Sequence, residues 1–296
     1  MNFADKITLK TREIGSPLCL GLDPHSNLIP KLFKKDLHKL SIKNIEDFLF
    51  EIIDIAKNKV VALKPQVAFF EQWGPDGMSL LVKISKLAKE NNIPIIMDAK
   101  RGDIGSTSEA YAKAWLGEKS FFKANAITIN PWMGVETLLP FIELANKTNS
   151  GIFILLKTSN PGSKDLQDLK VDGKKVFLHL SEKLINIVET NLGESGFSNV
   201  GIVVGATKPD EAILIRKILP KALFLIPGYG AQGAKASDAL AGLILKNKIY
   251  EGGLINSSRS ILFPEGSYEQ TSFFEWKKTI ESALKKSFND LIQLSD

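Results

Sequence analysis

Short apolar runs alternate along the chain with longer segments that carry apolar residues at helical spacing. Segments such as IEDFLFEIIDIAKNK and SLLVKISKLAKENN repeat their apolar positions every three or four residues, which is typical of amphipathic helices. The short runs are rich in β-branched residues and predict buried strands. Eight strands are predicted, at residues 17–23, 60–65, 93–100, 126–131, 151–158, 200–205, 222–227 and 253–257.

This alternation predicts an α/β fold. Each strand–helix–strand unit crosses over with a right hand and places its strands parallel in one sheet, and eight units can close into a (β/α)8 TIM barrel. No linker rich in proline and serine divides the sequence, so we expect a single domain over residues 1–296. The polar segment 160–173 is expected to form a lid-like insertion over the strand ends, and the last residues a C-terminal helical extension.

Composition excludes several protein classes. Hydrophobic residues make up 44% of the chain and charged residues 24%, which is typical of globular proteins and not of disordered or collagen-like ones. The longest apolar runs are much shorter than the about 18 residues of a membrane helix, and the charged N-terminal segment does not resemble a secretory signal. The single cysteine, Cys19, is typical of a reducing compartment. We therefore expect a cytoplasmic protein with no membrane partner.

The charge balance favours a small anionic substrate. The chain has 38 basic and 33 acidic residues, a formal net charge of +5. The basic residues are mixed with acidic ones along the predicted helices, whereas nucleic-acid-binding proteins usually gather them in a patch or tail. We therefore expect no nucleic-acid partner, although a modest positive charge attracts small anions.

Charged residues stand at the ends of several predicted strands, where barrel enzymes carry their chemistry. Lys64 ends the second strand, and Asp98 and Lys100 end the third. Because side chains alternate along a strand, Asp98 and Lys100 share a face and are predicted to point into the barrel mouth. A purely structural Asp98–Lys100 ion pair is the alternative. We favour a catalytic role, because Lys64 is expected to project into the same mouth and buried charges need partners.

Two segments near the end of the barrel predict a phosphate site. Residues 228–233, GYGAQG, match the dinucleotide pattern G-x-G-x-x-G, but they follow the seventh strand and not the first. Glycines still let the backbone approach an anion, and the loops after strands seven and eight are the usual phosphate site of barrels. Arg259 is expected to add a bidentate charged contact there, and the alternative for it is a salt bridge at the rim.

The segment DAKRGD, with Asp98, Lys100 and Asp103 in the spacing Asp-x-Lys-x-x-Asp, resembles the signature of the orotidine 5′-phosphate decarboxylase family and its superfamily. The segments LGLDP, ALKPQVAFFE and LLKTSNPGS resemble the first, second and fifth strands of that family. PGYGAQG and NSSRSI resemble its two phosphate-binding segments. The extra length before strand two, between strands five and six and at the C-terminus resembles the longer, type 2 variant of the family.

The resemblance implies decarboxylation of orotidine 5′-phosphate to UMP, with no cofactor, in pyrimidine nucleotide synthesis. Lys100 is expected to stabilise the carbanion that forms at C6 of the pyrimidine and then to protonate it. Asp98 is expected beside the substrate carboxylate, where repulsion between like charges is relieved as CO2 leaves. Lys64 and Asp103 are expected to complete an alternating Lys-Asp-Lys-Asp array.

The resemblance also implies substrate-binding positions and a partner. Asp23 falls on the ribose position and Ser159 on the pyrimidine position, while Gly230, Gln232 and Arg259 fall in the phosphate segments. Asp103 and Thr107 fall on positions that reach the neighbouring subunit's site. We therefore expect a homodimer with shared active sites.

Two other functions stay open at this point. One is a metal-dependent sugar-phosphate lyase or synthase of the same superfamily, whose members carry a metal-binding carboxylate where this chain has Lys64. An ammonium at that position repels a cation, and His25, His38 and His179 lack the spacing of metal ligands, so no metal site is expected. The other is a nucleotide-binding protein without catalysis, against which the complete charged array argues.

Overall fold

The computed structural model describes residues 1–34, 40–230 and 233–292. Eight parallel strands form its central sheet. They are β1 Leu18–Leu22, β2 Ala62–Pro65, β3 Ile96–Arg101, β4 Ala126–Ile129, β5 Gly151–Lys157, β6 Ser198–Val204, β7 Ala222–Ile226 and β8 Gly253–Ser257. Each of the eight predicted strands is present, with bounds that differ from the prediction by a few residues.

The sheet closes on itself. Each strand from β3 to β7 pairs with the next one in the chain, and β1 pairs with both β8 and β2. Parallel bridges from Leu63 to Ile95 and from Gln66 to Asp98 join β2 to β3. Across this seam the backbone N–H of Leu63 donates to the carbonyl of Pro94 at 2.8 Å. The predicted α/β barrel is therefore confirmed.

Helices follow the strands around the outside of the barrel. The helices are α1 Phe3–Ile14, α2 Ile42–Ala56, α3 Ala68–Glu71, α4 Gly74–Glu90, α5 Gly105–Leu116, α6 Leu139–Thr148, α7 Val176–Glu189, α8 Pro209–Ile218, α9 Ala236–Leu240, α10 Arg259–Leu262 and α11 Phe273–Ile292. Short 3-10 turns lie at Lys31–Phe33, Val135–Leu138 and Pro161–Asp165, and two small hairpins at Lys170–Val171 with Lys174–Lys175 and at Ile244–Lys246 with Ile249–Glu251. No helix in these described ranges is long and apolar enough to span a membrane.

The N-terminal helix closes the amino end of the barrel. Asn2 begins α1 with a capping box that satisfies free N–H groups of the first turn. Phe3 then enters the apolar cluster inside the barrel and meets the ring of Phe153 edge-on, with 5.9 Å between ring centroids. A Cβ at Gly151 would lie 2.2 Å from the Phe3 ring, so only glycine fits at that position. The carboxyl ends of the strands are left as the open end.

The insertion at residues 160–173 is built of short elements tied to the end of β5. It contains a 3-10 turn and the first strand of a small hairpin. Gln167 Oε1 accepts a hydrogen bond from the backbone N–H of Thr158 at 2.9 Å, and Asp168 Oδ1 accepts one from Lys157 Nζ at 2.9 Å. These contacts hold the insertion beside the strand ends, and its action as a lid stays a prediction.

The C-terminal helix α11 packs on α2 and α10. Its Trp276 is fully buried, with its ring centroid 4.8 Å from that of Phe33 and 6.0 Å from that of Phe48. This aromatic cluster holds the first half of α11 against the outside of the barrel, because large buried rings contribute most of the packing energy at such contacts.

Candidate active site

Asp98 lies at the centre of a group of polar side chains at the open end of the barrel. Its Oδ2 accepts hydrogen bonds from Lys64 Nζ at 2.7 Å and from Gln66 Nε2 at 3.1 Å. Its Oδ1 accepts from Lys100 Nζ at 2.5 Å and from Thr128 Oγ1 at 3.0 Å. A carboxylate has about four acceptor sites, so Asp98 is fully hydrogen-bonded and held in one orientation.

Burial and charge act in opposite directions on this group. Asp98 is 8% exposed and Lys64 is 3% exposed. Burial by itself raises the pKa of Asp98, but the charges and hydrogen bonds of Lys64 and Lys100 outweigh it and hold that pKa well below its usual range. Burial likewise lowers the pKa of Lys64, and the negative charges of Asp98 and Asp23 outweigh it and raise that pKa above its usual value. The Lys64–Asp98 pair is therefore ionised at neutral pH.

The backbone at Lys100 has an unusual conformation. Its φ angle is +50°, in the left-handed region that side chains other than glycine rarely adopt. The register of β3 against β4 shifts between Met97 and Arg101, and the N–H of Lys100 donates to Thr128 Oγ1 at 2.9 Å instead of to a strand carbonyl. Bulges of this kind redirect side chains near active sites. Here the side chain of Lys100 is 44% exposed, whereas that of Lys64 is buried.

A cavity of about 300 Å³ borders this array. Lys64, Asp98 and Lys100 form one wall of it, and Leu155, Val203 and Leu225 supply apolar surface. The remaining lining includes Asp23, Ser159, Gly228, Tyr229, Asn256, Ser258 and Arg259. The structure therefore brings six of the predicted site residues, from the ends of β1, β2, β3, β5 and β8, around one cavity: Asp23, Lys64, Asp98, Lys100, Ser159 and Arg259.

Two buried oxygen atoms beside this cavity have no hydrogen-bond donor within the described part of the chain. They are Oδ1 of Asp23, after β1, and Oδ1 of Asn256, in β8. The amide nitrogen of Asn256 donates to Ser258 Oγ at 3.1 Å, which leaves its oxygen available. A buried acceptor without a donor costs about 1–3 kcal/mol, so these atoms mark a place where a ligand with hydroxyl groups would be stabilised.

Close packing beneath these acceptors explains one glycine of the first strand. Gly21 lies in the LGLDP segment, two residues before Asp23. A Cβ at Gly21 would lie 1.8 Å from Ser258 Oγ and 3.0 Å from Asn256 Nδ2. Only glycine therefore lets β1 approach the residues that carry the second acceptor.

Asp103 and Thr107 lie apart from the array of their own chain. Asp103 Oδ1 accepts a hydrogen bond from the N–H of Ile104 at 2.8 Å, and Thr107 is exposed in the first turn of α5. Neither residue lines the cavity formed by the described residues. Within one chain, the row of alternating charges therefore ends at Lys100.

Part of the predicted phosphate site lies within the described residues. Gly228 and Gly230 have φ angles of +102° and +75°, so the chain after β7 uses conformations that favour glycine. Gly228 lines the charged cavity, whereas Gly230 lines an adjoining cavity beside α11. Arg259 is the first residue of α10 and is exposed at the rim. Gln232 lies outside the described residues.

Two of the three histidines, His25 and His179, lie apart from the array. His25 packs its ring against Phe69, with 4.5 Å between centroids, and His179 Nε2 lies 2.9 Å from the carbonyl of Val171. His38 lies outside the described residues. Among the residues that are described, no three His, Cys, Asp or Glu side chains form a group that could hold a metal ion.

Sequence reasoning missed three residues of the site. Gln66 and Thr128 hold the two oxygens of Asp98, and Asn256 supplies an acceptor at the cavity. The available signal was their polarity: Thr128 is the polar residue within the strand sequence AITI, and Asn256 directly follows the apolar residues of β8. Polarity alone does not indicate which neighbour each residue contacts.

Known proteins are similar to this chain along most of its length. The family model described as "Orotidine 5′-phosphate decarboxylase / HUMPS family" matches residues 16–267. The orotidine 5′-phosphate decarboxylase of Rhodopirellula baltica is 39% identical over 271 residues, which cover 89% of this chain and 89% of that protein. The protein of the same name from Caldicellulosiruptor bescii is 38% identical over 306 aligned residues, covering 99% of each chain.

Solved structures of orotidine 5′-phosphate decarboxylases are also similar to this chain. The structure of Leishmania donovani OMP decarboxylase matches with a TM-score of 0.77 and 29% sequence identity, and the match covers 100% of this chain and 99% of that one. Sequence and fold are thus similar along nearly the whole length. The chain belongs to the orotidine 5′-phosphate decarboxylase / HUMPS family.

Proposed function

We propose that this protein is a carboxy-lyase that converts orotidine 5′-phosphate into UMP and CO2, in pyrimidine nucleotide synthesis. The observation that carries the proposal is the Lys64–Asp98–Lys100 array beside the cavity. It occurs in a chain that is 38–39% identical to orotidine 5′-phosphate decarboxylases over most of its length.

Lys100 carries out the central step. When the bond between C6 and the carboxylate breaks, CO2 leaves and the electron pair stays on C6, where no ring carbonyl delocalises it easily. The ammonium of Lys100 is the exposed cation of the array, so it stabilises this charge and then donates a proton to C6. The neutral amine that results takes up a proton from water before the next turnover.

Asp98 keeps its negative charge close to the substrate carboxylate. Its low pKa means that it is ionised, and repulsion between the two carboxylates is relieved as CO2 leaves. Lys64, Gln66 and Thr128 hold Asp98 in place through its remaining acceptor sites. Lys64 therefore acts mainly by positioning Asp98, whereas Lys100 acts on the reacting carbon.

The rest of the cavity binds the substrate. Asp23 and Asn256 accept hydrogen bonds from the ribose hydroxyls through their two available oxygens, which would satisfy both buried atoms at once. Ser159 contacts the pyrimidine from the end of β5. Arg259, together with the glycine-containing segment that carries Gly230 and Gln232, binds the phosphate. The proposed reaction uses no cofactor.

A metal-dependent sugar-phosphate lyase or synthase is the second candidate, because the family model also covers HUMPS proteins. The metal-dependent relatives have a carboxylate at the end of the second strand. This chain has Lys64 there, and its ammonium lies 2.7 Å from Asp98 Oδ2, at the place where a cation would need a ligand. The decarboxylase is therefore favoured over a metal-dependent activity.

The protein acts as a homodimer with shared active sites in this proposal. The N–H of Asn130 donates to the carbonyl of Arg101 at 2.8 Å, which brings the loop after β4 beside the loop that carries Asp103. Ile104 and Trp132 expose 61% and 70% of their surface on these loops. Exposed apolar residues in neighbouring loops are typical of an interface, and a second subunit there would receive Asp103 and Thr107.

The proposed location is the cytoplasm. The proposed substrate is a phosphorylated metabolite, and Cys19 is buried, with burial raising the pKa of its thiol to about 12. A buried neutral thiol of this kind needs no oxidising compartment.

The decisive experiment mixes the purified protein with orotidine 5′-phosphate in the presence and absence of EDTA and follows UMP and CO2. Equal product formation in both samples is expected. Tight UMP binding without turnover would instead favour the nucleotide-binding alternative, and turnover of a sugar phosphate that EDTA abolishes would favour the metal-dependent enzyme.

The shared site is tested by subunit exchange. Lys100→Ala and Asp103→Ala homodimers are expected to be inactive, and a mixture of the two is expected to regain activity, because one heterodimer site receives both wild-type residues. Mass spectrometry of the mixture verifies the exchange. Absence of rescue after verified exchange would mean that Asp103 serves the site of its own chain.

A further inference from the structure

Tyr229 lies in the loop that follows β7 and borders two cavities. It is 7% exposed, and it lines the charged cavity together with Arg259 and also the second cavity, beside α11. Its hydroxyl donates a hydrogen bond to Asp290 Oδ2 at 3.1 Å, across 61 residues of sequence. Burial and the negative charge of Asp290 raise the pKa of Tyr229, so its hydroxyl keeps the proton that it donates.

The backbone around Tyr229 has little intrinsic rigidity. Gly228 and Gly230 flank it, both with positive φ, and glycine has the largest conformational freedom to lose. The described backbone contacts that order this loop are a bridge between Tyr229 and Ala234 and hydrogen bonds near Gly233. The hydrogen bond from Tyr229 to Asp290 therefore adds a side-chain anchor between the two glycines.

Asp290 lies in the last described turn of α11, and its side chain is partly buried. Its hydrogen bond to Tyr229 joins this part of α11 to the loop after β7.

The same helix supports the other half of the phosphate site. α11 packs on α10, which begins with Arg259, and on α9, which follows the loop of Tyr229. A Cβ at Gly230 would lie 3.2 Å from Ser260 Oγ, so the loop and α10 are also in close contact with each other. α11 therefore contacts α10, which carries Arg259, and through Asp290 it contacts the loop that carries Gly230.

We propose that Tyr229 and Asp290 form a positioning pair through which the C-terminal helix holds the phosphate-binding loop in place. The proposal rests on the proposed function, and it adds that α11 determines affinity for the phosphate end of the substrate. Neither residue contacts the reacting carbon. Their effect is specific to ligands that carry the 5′-phosphate.

The test compares variants that differ by single atoms or groups. Tyr229→Phe removes the donor and Asp290→Ala removes the acceptor, whereas Asp290→Asn keeps an oxygen that can accept. The first two are expected to raise KM for orotidine 5′-phosphate about five- to tenfold with kcat within about twofold, and Asp290→Asn is expected to restore most of the affinity. The double variant Tyr229→Phe/Asp290→Ala should lose no more than either single variant.

Ligands without the phosphate separate positioning from general destabilisation. kcat/KM for orotidine should change less than about twofold in every variant, since orotidine has no phosphate for the loop to bind. Glu281→Ala, which removes a carboxylate from the same helix more than two turns earlier, serves as the matched control and should behave like the wild type. Thermal melts show that each variant is folded.

Binding measurements keep the inference independent of turnover. Tyr229→Phe and Asp290→Ala should bind UMP about five- to tenfold more weakly than the wild type, and uridine with unchanged affinity. If the wild type binds UMP but forms no product, the proposed catalysis is wrong, and the UMP and uridine affinities of the variants still test the positioning pair. Equal losses for UMP and uridine, or wild-type affinity in Tyr229→Phe, would overturn the inference.

Discussion

Two lysines near the ends of barrel strands have almost fully buried ammonium groups, and one of them borders the proposed active site. Lys64 of β2 is paired with Asp98 at 2.7 Å. Lys157 of β5 is 2% exposed, and its Nζ lies 2.9 Å from Asp168 Oδ1 and 3.6 Å from Glu211 Oε2. Both lysines are buried and both are paired, so burial of a charge does not by itself identify a catalytic residue.

The two clusters differ in what surrounds them. Around Lys64, one carboxylate is shared by two ammonium groups beside a cavity with available acceptors. Around Lys157, Asp168 and Glu211 are also paired with Lys175 and Lys208, which join the 160–173 insertion to α8. The first arrangement leaves room for a ligand, whereas the second fastens one segment to another. The two lysines are therefore predicted to respond differently to substitution.

The largest expected effect is that of Lys100→Ala. It should lower kcat by at least about a thousandfold while the protein stays folded, because one ammonium both stabilises and protonates the carbanion. Lys175→Ala, a lysine of the second cluster, is the matched control and should keep kcat within about twofold. Near-normal turnover by a folded Lys100→Ala protein would contradict the mechanism.

Replacing the two buried lysines with methionine tests the comparison directly. Lys64→Met should lower kcat by about a hundredfold or more, since Asp98 loses its buried partner and its fixed orientation. Lys157→Met should leave kcat within about threefold, since Lys157 does not line the cavity and its carboxylates keep Lys175 and Lys208. Similar losses in the two variants, measured at saturating substrate, would show that the insertion contributes to catalysis.

Arg259→Ala should lower kcat/KM for orotidine 5′-phosphate by about tenfold or more. Removing a hydrogen bond to a charged group costs about 1.5–3 kcal/mol, and binding energy from a remote phosphate can also lower the barrier. Orotidine should be nearly indifferent to this substitution. The test measures kcat/KM for orotidine 5′-phosphate and for orotidine with the wild type and with Arg259→Ala. Equal fractional losses of kcat/KM for the two substrates would contradict the assignment of Arg259 to the phosphate.

The smallest expected effect concerns stability and pH. The hydrogen bond and charge of Lys157, with hydrogen bonds from Lys175 and Lys208, lower the pKa of Asp168 to about 2 from the usual 3.8. The group therefore contributes stability above about pH 4, and that contribution is lost as the pH falls through about 2. Asp168→Asn should lower the free energy of unfolding at neutral pH by roughly 1–2 kcal/mol, allowing for solvent screening.

Urea titrations between about pH 2 and pH 7 check this prediction. The stability difference between wild type and Asp168→Asn should narrow as the pH falls, because wild-type Asp168 becomes neutral. A difference that stays constant over this range would mean that the charge of Asp168 is not its source. Turnover near pH 7 should be similar in the two proteins.

Much of the barrel was predictable because the signals are local. Apolar runs and helical spacing depend on neighbouring residues, and they located all eight strands. The positions of Lys64, Asp98 and Lys100 at the ends of predicted strands indicated the charged array for the same reason, whereas Asp103, which was expected to complete it, lies apart from the array of its own chain. The partners of Asp98 were not predictable, because Gln66 and Thr128 lie 32 and 30 residues away in sequence.

In β5, the simple alternation of side chains along a strand does not predict where Lys157 lies. Phe153 belongs to the cluster inside the barrel, and strict alternation would place Lys157 on that same face. The register of β5 against β6 shifts between Leu155 and Lys157, and Lys157 instead lies 5.4 Å from the ring of Phe177 in α7. A bulge depends on how two strands pair, so it cannot be seen in either strand alone.

The amino-acid sequence by itself determined the order of strands and helices, the family and three residues of the charged array, Lys64, Asp98 and Lys100, because each depends on residue type and short spacing. Tertiary structure alone decided which oxygens of Asp98 are held by which donors, that Lys157 turns away from the cavity, and that Asp290 of α11 reaches Tyr229. Those contacts join residues far apart in the chain. Their geometry is set by barrel closure, by bulges and by helix packing, which are properties of the folded chain as a whole.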